Sequence, residues 1–524
     1  MELVFEAQSI DYLRPVFTKA AAQEQTQELI VPDSYPDCGR IVFTGACAVM
    51  RGKEARDGSV VVTGGVRAGL LYVPEDGTEP RALSCYLPYS IRVDDPAATA
   101  AMQLQACCHV RSADARLINS RKILVRADVV CVLTGFEQAS QEIRTFKDAP
   151  AALQTKTAEY RCVLPREFGE KSVTMTEDLE LSTGEPEMES IVQYWVSPEI
   201  TEQKLTGNKA VFKGVLTFKA LYLTTDGAPE TYVRQLPFSQ YCELRGTYDD
   251  DELALCLCVT GSEAELSRME DEPSKILLSV TLLCQCVAMQ ASEVTITEDA
   301  YATRGEFSPE WSEVRLSCLL DRQTQTGTLR GSVPKQARAV IDSTLYLGEP
   351  AQQTQNGEAV LTAPATVNIL YMDTDGALQS AIVRDQASCK IALGEGAVCE
   401  ASVTPGRDGF AAPSGGGIDV RYDVSFHADC RCNQVLRTLT GGACGRRQGR
   451  GAVLRRRAAR RQNAEPLGSC QAVPHERSGD CGRERNYKWG SRAGRAASDS
   501  GLNISPCVTQ NKEAVTWTRQ GIFT

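Results

Sequence analysis

A short signature occurs three times in this chain at an interval of about 150 residues. Each copy is a Leu-Tyr pair followed by an Asp-Gly pair, and the three are Leu71-Tyr72 with Asp76-Gly77, Leu221-Tyr222 with Asp226-Gly227, and Leu370-Tyr371 with Asp375-Gly376. A strand that runs into Asp-Gly predicts a tight turn, because Gly accepts positive φ without a steric cost. An interval of domain size indicates one fold copied three times along the chain.

The third copy has diverged most. Glycines precede the Leu-Tyr pair in the first two copies, whereas the third has Ala363 and Pro364 in that region. The segment Leu-Pro-Tyr-Ser at 87–90 matches Leu-Pro-Phe-Ser at 236–239, but residues 385–388 read Asp-Gln-Ala-Ser.

A second strand closes each copy, at residues 121–133, 274–286 and 417–428. The last alternates cleanly, with apolar side chains at Ile418, Val420, Tyr422, Val424 and Phe426. Period two with one apolar face predicts a half-buried antiparallel strand. With turn signals at short intervals and few helical patterns, we expect an all-β chain of three tandem β-sandwich or barrel-like modules.

The length of 524 residues exceeds what one hydrophobic core usually spans. We assign module 1 to residues 25–140, module 2 to 141–290 and module 3 to 291–435. The segment 1–24 carries Phe5, Ile10, Leu13 and Phe17 on one amphipathic face, which we expect to pack onto module 1. Residues 436–524 form a predicted disordered basic tail.

Charge is divided unevenly between the modules and the tail. Residues 441–524 carry a net charge of +10 and the remainder −21. Acidic modules are poorly suited to nucleic acid or anionic membranes. No apolar run is long enough to span a membrane, and the first residues show no secretory signal, so we expect a cytoplasmic protein.

The 21 cysteines include three C-x-C pairs, Cys256/Cys258, Cys284/Cys286 and Cys430/Cys432. Residues i and i+2 share a strand face, so two such pairs could form a four-thiolate zinc site. The repeat alignment favours another interpretation, because the position of Cys284 is Cys131 in module 1 and Phe426 in module 3. We therefore expect the thiols to pack as small buried hydrophobes, with no bound metal or cofactor and no disulfides.

Catalytic groups are scarce. The histidines are His109, His427 and His475. Cys108 and His109 are adjacent on a predicted strand and would point to opposite faces, so they cannot form a nucleophile–base pair. His427 lies on the polar strand face, and no established catalytic motif is present. We expect no enzymatic activity and predict no catalytic or metal-binding residues.

Several of these pieces together resemble the SPOCS-domain (SipL-type) proteins of spore-forming Firmicutes. They are Val31-Pro32-Asp33 with Pro36-Asp37, the Leu-Tyr strand, the Leu-Pro-aromatic-Ser segment, and the run Ile-Asn-Ser-Arg-Lys-Ile at 118–123. They extend in tandem over about residues 25–435, and module 1 is the most similar. Module 2 keeps only Lys275-Ile276 of the last piece.

The resemblance implies a non-enzymatic scaffold of spore-envelope assembly. It would help to attach the coat to the developing forespore, on the mother-cell side, with the sporulation coat morphogenetic ATPase or other coat proteins as partners. Members commonly end in a LysM domain, which the tail does not show. A shift of one nucleotide in the region encoding 467–490 permits a LysM-like peptide, so we hypothesise a frameshift between about residues 430 and 467.

Two other function classes remain open. A carbohydrate-binding protein would act through a restored LysM domain on peptidoglycan or through aromatic side chains, of which the modules offer Trp195 and Trp311. A thiol or zinc protein would use the C-x-C pairs.

Overall fold

The computed structural model describes residues 4–77, 79–148, 153–182, 184–249, 251–268, 274–303, 306–355, 357–394, 396–445 and 516–518. These residues form twenty β-strands, so the predicted all-β class is confirmed. Within the described ranges, no helix is long and apolar enough to cross a membrane.

Modules 1 and 2 contain six strands each and module 3 contains seven. Module 1 comprises β1 (Val4–Ile30), β2 (Cys38–Arg56), β3 (Ser59–Pro74), β4 (Arg81–Asp94), β5 (Gln103–Asn119) and β6 (Lys122–Asp148). Module 2 comprises β7 (Leu153–Glu180), β8 (Met188–Thr206), β9 (Lys209–Thr224), β10 (Pro229–Glu243), β11 (Glu252–Ser267) and β12 (Lys275–Ala302). Module 3 comprises β13 (Glu306–Val333), β14 (Ala337–Leu347), β15 (Ala351–Gln355), β16 (Glu358–Asp373), β17 (Leu378–Ala392), β18 (Ala397–Ser414) and β19 (Gly417–Gly445). The short β20 (Thr516–Thr518) pairs with β7.

The strand order is the same in each module. The first strand pairs antiparallel with the last, and the last pairs with the strand before it, giving the orders β1-β6-β5, β7-β12-β11 and β13-β19-β18. The intervening strands form a second sheet, a meander centred on β3, β9 or β16. Each hydrophobic core draws side chains from both sheets, as with Tyr72 and Val125 in module 1. Each module is therefore a sandwich of two small antiparallel sheets.

The outer strands continue well beyond their modules. β5 pairs with β6 only as far as Phe136, but β1 follows β6 to Asp148. The same happens in β7/β12 and β13/β19, so each module extends into a two-stranded arm. The arms pack on one another in a buried cluster, here called the hub, which comprises Ile10, Tyr12, Ile143, Cys162, Leu164, Val294, Ile296, Val314, Leu316, Cys318 and Leu436.

The arms change the expected boundaries. The positions 24, 140, 290 and 435 each fall inside a long strand, because strand periodicity continues from the sandwich into the arm. The chain passes between modules at the arm ends, from Asp148 to Leu153 and from Ala302 to Glu306. Residues 1–24 belong largely to β1, and β19 takes the first ten residues assigned to the tail. The rest of the predicted tail and the hypothesised LysM lie outside the described residues, apart from β20.

The repeated Leu-Tyr pair has two separate tasks. Tyr72, Tyr222 and Tyr371 are each buried in the core of their own module. Leu71, Leu221 and Leu370 point to the opposite face, as neighbours on a strand must. They enter one shared cluster, here called the leucine junction, which comprises Val42, Phe43, Leu71, Val192, Leu221, Leu223, Leu370 and Leu378. The three meanders therefore meet at the repeated leucine.

The Asp-Gly turns form as predicted, since Gly77, Gly227 and Gly376 have φ of 73°, 79° and 82°. A second glycine requirement explains the Leu-Pro-aromatic-Ser segment. Gly64 pairs with Tyr89, and a Cβ at Gly64 would overlap the Tyr89 ring and the Val49 carbonyl oxygen.

Module 2 repeats this arrangement with Gly214 beneath the ring of Phe238. In module 3 the paired residues are Ala363 and Ala387, so the glycine and the aromatic ring are replaced together. The two motifs that degrade in the third copy are thus the two halves of one contact.

We predict that Gly64→Ala destabilises the chain by about 1–3 kcal/mol, because the added methyl overpacks a site bounded by backbone. Urea unfolding followed by circular dichroism measures the change. Gly415→Ala is the matched control, since a Cβ there meets nothing within 4 Å. Equal stability of the two variants would contradict the proposed packing of glycine under the aromatic ring.

Polar side chains connect the modules around the leucine junction. Arg67 of β3 donates to the Tyr194 and Ser262 carbonyl oxygens of module 2 at 3.0 and 3.2 Å. Asn368 of β16 reaches two carbonyl oxygens of module 1, those of Thr44 and Ala113, at 3.4 Å each. These hydrogen bonds connect module 1 to module 2 and module 1 to module 3. A third polar contact connects modules 2 and 3.

That contact is an ion pair. Lys219 Nζ of β9 lies 2.7 Å from Asp342 Oδ1 of β14, and the Asp342 side chain is only 1% exposed. Lys219 also donates to the Ser343 carbonyl oxygen at 2.7 Å. A buried carboxylate is tolerated only with such partners, so Lys219 fixes module 3 against module 2.

Lys219→Met should destabilise the chain by about 3–5 kcal/mol, because it leaves a charge buried without its counter-ion. The control is Lys213→Met, whose exposed pair with Glu202 should contribute about 0–1 kcal/mol. Chemical unfolding of both variants measures the difference, and similar midpoints would show that the pair does not hold the junction.

Candidate functional site

The cysteines lie mainly in hydrophobic cores. Cys284 and Cys286 are buried in module 2, and Cys430 is buried in module 3. Burial raises the pKa of the Cys38 and Cys85 thiols to about 11, which keeps them protonated near neutral pH. Within the described part of the chain, no group of three or more His, Cys, Asp or Glu side chains is placed to hold a metal ion. Cys107 of module 1 instead lies at a junction between modules, because its Sγ is 4.0 Å from the Leu257 carbonyl oxygen of module 2, between Cys256 and Cys258.

The histidines do not join a nucleophile. Cys108 points into the core of module 1, while His109 lies near Leu347 and Glu349 of module 3, and burial lowers its pKa. His427 sits between the hydroxyls of Thr324 and Thr404, at 3.2 and 3.1 Å from its two ring nitrogens. His475 lies outside the described residues.

The rings of Trp195 and Trp311 contact other parts of the protein. Trp195 donates from Nε1 to the Ala46 carbonyl oxygen at 3.2 Å and packs edge-on against Phe43. Lys219 lies 5.0 Å above its ring. Trp311 lies on the third arm with the Arg437 guanidinium 4.6 Å from its ring centre. Both rings therefore make contacts within the protein.

The residues of the family resemblance near the start of module 1 meet at one end of the sandwich. Residues 31–37 form the connection from β1 to β2, and Arg121 lies in the turn from β5 to β6. The Arg121 guanidinium donates to the Tyr35 and Pro32 carbonyl oxygens at 2.7 and 3.0 Å. It also reaches carboxylate oxygens of Asp33 and Asp37, at 3.0 and 3.1 Å.

The backbone closes the same loop. Val31 N donates to Arg121 O at 2.9 Å, and Cys38 N donates to Ser120 O at 2.8 Å. Asn119 accepts from the backbone N–H of Arg121 at 3.0 Å, which shapes the turn. A planar guanidinium with five donors suits such a multiple contact. Arg121 therefore acts as a clamp on residues 31–37.

In module 2 a different ion pair holds the loop between the first two strands. The connection from β7 to β8 contains Glu185, whose carboxylate accepts from Arg234 of β10 at 2.8 Å. Burial acts to raise the pKa of Glu185, but the backbone N–H of Ser182 and the Arg234 guanidinium together lower it below its usual value. The repeated tyrosine is anchored alike in both modules, since Tyr72 donates to Pro36 O and Tyr222 to Pro186 O, at 2.9 and 3.2 Å.

Two large apolar side chains lie exposed beside the Arg121 clamp. Ile30, at the end of β1, is 69% exposed, and Ile118, at the end of β5, is 49% exposed. Across the sheet, Lys122 pairs with Ile30 on one side and with Asn119, the residue after Ile118, on the other. We call Ile30, Ile118, Lys122 and the fully exposed Asp33 the module 1 loop surface. Nothing in the amphipathic pattern of the first 24 residues pointed to it.

We predict that Arg121→Ala speeds amide hydrogen exchange in residues 31–37 by about tenfold or more, because hydrogen bonds to charged groups contribute about 1.5–3 kcal/mol each. Mass spectrometry of exchanged peptides measures this. Arg92→Ala, which removes an exposed pair with Asp94, should leave the loop unchanged. Unaltered exchange in Arg121→Ala would show that the backbone alone holds the loop.

Residues 187–263 match the family model described as SipL, SPOCS domain. No curated protein and no solved structure matches the chain. The matched residues lie in module 2 and span β8 to nearly the end of β11, whereas the individual motifs are most complete in module 1. The fold is that of a tandem all-β protein built on one repeated sandwich. Over residues 187–263 the chain is similar to the SPOCS domain of SipL, in agreement with the resemblance seen in the sequence motifs.

Proposed function

We propose that this chain is a non-enzymatic scaffold of spore-envelope assembly that binds a coat morphogenetic protein. The supporting observation is the SPOCS domain in module 2, which suggests a sporulation-related protein. Its place of action would be the mother-cell cytoplasm at the forespore surface, with the sporulation coat morphogenetic ATPase as its partner.

The contacts between modules suit such a role. The leucine junction, the hub and the buried Lys219–Asp342 pair hold three modules in fixed relative positions. A rigid platform loses little conformational freedom when it binds, so more of the interaction energy appears as affinity. A loop of module 3 also takes part, because Glu349 lies 3.4 Å from the Arg111 guanidinium of module 1.

The module 1 loop surface is the strongest candidate for the contact with the partner. Ile30 and Ile118 supply apolar anchors, and Lys122 and Asp33 supply a polar rim, as in the usual anatomy of an interface. The Arg121 clamp keeps this surface ordered before binding. Module 3 has only residues 334–336 between β13 and β14, so its corresponding loop is shorter.

We predict that Ile30→Asp and Ile118→Asp each weaken binding of the purified coat morphogenetic ATPase by tenfold or more, because each buries a charge where an apolar anchor stood. Surface plasmon resonance with the immobilised full chain measures the affinity. Val233→Asp in module 2 and Ile382→Asp in module 3 are matched controls, since these residues are 45% and 46% exposed.

Two results would count against the proposal in different ways. Equal losses in all four variants would move the contact away from the module 1 loop surface. An unmodified chain that neither binds coat proteins nor localises to the forespore of sporulating cells would remove the scaffold function itself.

A further inference from the structure

The junction between modules 1 and 2 brings three thiols together. Cys107 lies on β5 of module 1, and its Sγ is 4.0 Å from the carbonyl oxygen of Leu257 on β11 of module 2. That carbonyl belongs to the residue between Cys256 and Cys258. Because residues i and i+2 share a strand face, both members of this C-x-C pair point to the same side.

That side faces module 1. Cys258 is 2% exposed and belongs to the hydrophobic core cluster of module 1, although its strand belongs to module 2. Leu257, between the two cysteines, packs against the core of module 2. The C-x-C pair is therefore part of a junction between modules, which distinguishes it from Cys284/Cys286.

A buried glutamine holds this junction in register. Gln285 is 0% exposed, accepts from Ala106 N at 2.9 Å and donates to Ala106 O at 2.8 Å. Its Nε2 also lies 4.0 Å from Cys256 Sγ. Lys53 supports the glutamine, donating to its Oε1 at 2.6 Å and pairing with Glu170 at 3.0 Å. Cys107, next to Ala106, is thus fixed opposite the C-x-C pair.

We propose that Cys107 and the C-x-C pair are a site of reversible disulfide cross-linking between modules 1 and 2, with Cys256 the first thiol to react. Cys256 and Cys107 are only partly buried, so a small oxidant can reach them, whereas Cys258 is enclosed. The co-reactant is a low-molecular-weight disulfide such as oxidised glutathione.

The exchange balances in two steps. The Cys256 thiolate attacks the small disulfide, forming a mixed disulfide and releasing one small thiol. The Cys107 thiolate then attacks the Cys256 sulfur, forming the protein disulfide and releasing the second small thiol. Two electrons pass from the protein thiols to the small disulfide, and their two protons end on the released thiols.

The rate should rise with pH. The hydrogen bond between the Cys107 and Cys256 thiols, together with burial, holds the pKa of the Cys107 thiol well above its usual range. Since the thiolate is the attacking species, the second step, attack by Cys107, should be faster at pH 9 than at pH 7, by about tenfold per pH unit.

The test uses the full chain treated with oxidised glutathione, alkylated with iodoacetamide and digested with trypsin without reduction. Trypsin releases residues 93–111, which hold Cys107 and Cys108, and residues 246–268, which hold Cys256 and Cys258. We expect a linked species whose mass is the sum of the two peptides minus two hydrogen atoms for the disulfide, plus two carbamidomethyl groups on the remaining thiols, and which dithiothreitol separates. In a separate measurement on the undigested protein, the urea midpoint of the oxidised chain should exceed that of the reduced chain.

Cys107→Ser should abolish the linked species and the shift in the urea midpoint, while Cys108→Ser, a neighbour pointing to the other face, should keep both. Cys107→Ala provides a second variant should the serine perturb folding. A link from Cys107 to either thiol of the C-x-C pair supports the site. Absence of the linked peptides after oxidation, or their persistence in Cys107→Ser, overturns it.

Discussion

Burial of three equivalent leucines in one cluster is the interaction on which the rest of this structure depends. Leu71, Leu221 and Leu370 are each completely buried, and each lies outside the core of its own sandwich, in a cluster shared by the three modules. A fully buried leucine contributes about 1.5–3 kcal/mol of stability relative to an exposed one. No single module can provide that environment, so the meanders require one another. The polar contacts of Arg67, Lys219 and Asn368 then select one arrangement of the three.

The sequence predicted the fold class and the repeat because those depend on local patterns. Alternation in 417–428 correctly placed Ile418, Val424 and Phe426 inside, and Asp-Gly correctly marked the turns. The module boundaries were less accessible, since an arm strand and a sandwich strand share the same period. An arm strand differs from a sandwich strand only in which element it packs against, and that depends on the tertiary structure.

The candidate surface could be predicted in part. The motif residues around 31–37 and 118–123 carried the resemblance to the SPOCS family, and the structure shows the physical reason why they occur together. Arg121 needs carbonyl and carboxylate acceptors that the loop supplies. The exposure of Ile30 and Ile118 could not be foreseen, because the sequence pattern of an apolar residue at a strand end is the same whether its side chain faces the core or the solvent. The proximity of Cys107 and Cys256 could not be predicted either, because it depends on how modules 1 and 2 pack against each other.

The arms give the molecule two distant poles. β1 has 27 residues, which gives a contour length of about 90 Å at the rise of an extended strand, and it runs from the arm to the loop that Arg121 clamps. β19 finishes at the hub end, where Gly445 pairs with Glu306. The loop clamped by Arg121 and the hub therefore occupy opposite parts of the same long strand, so one continuous backbone connects them.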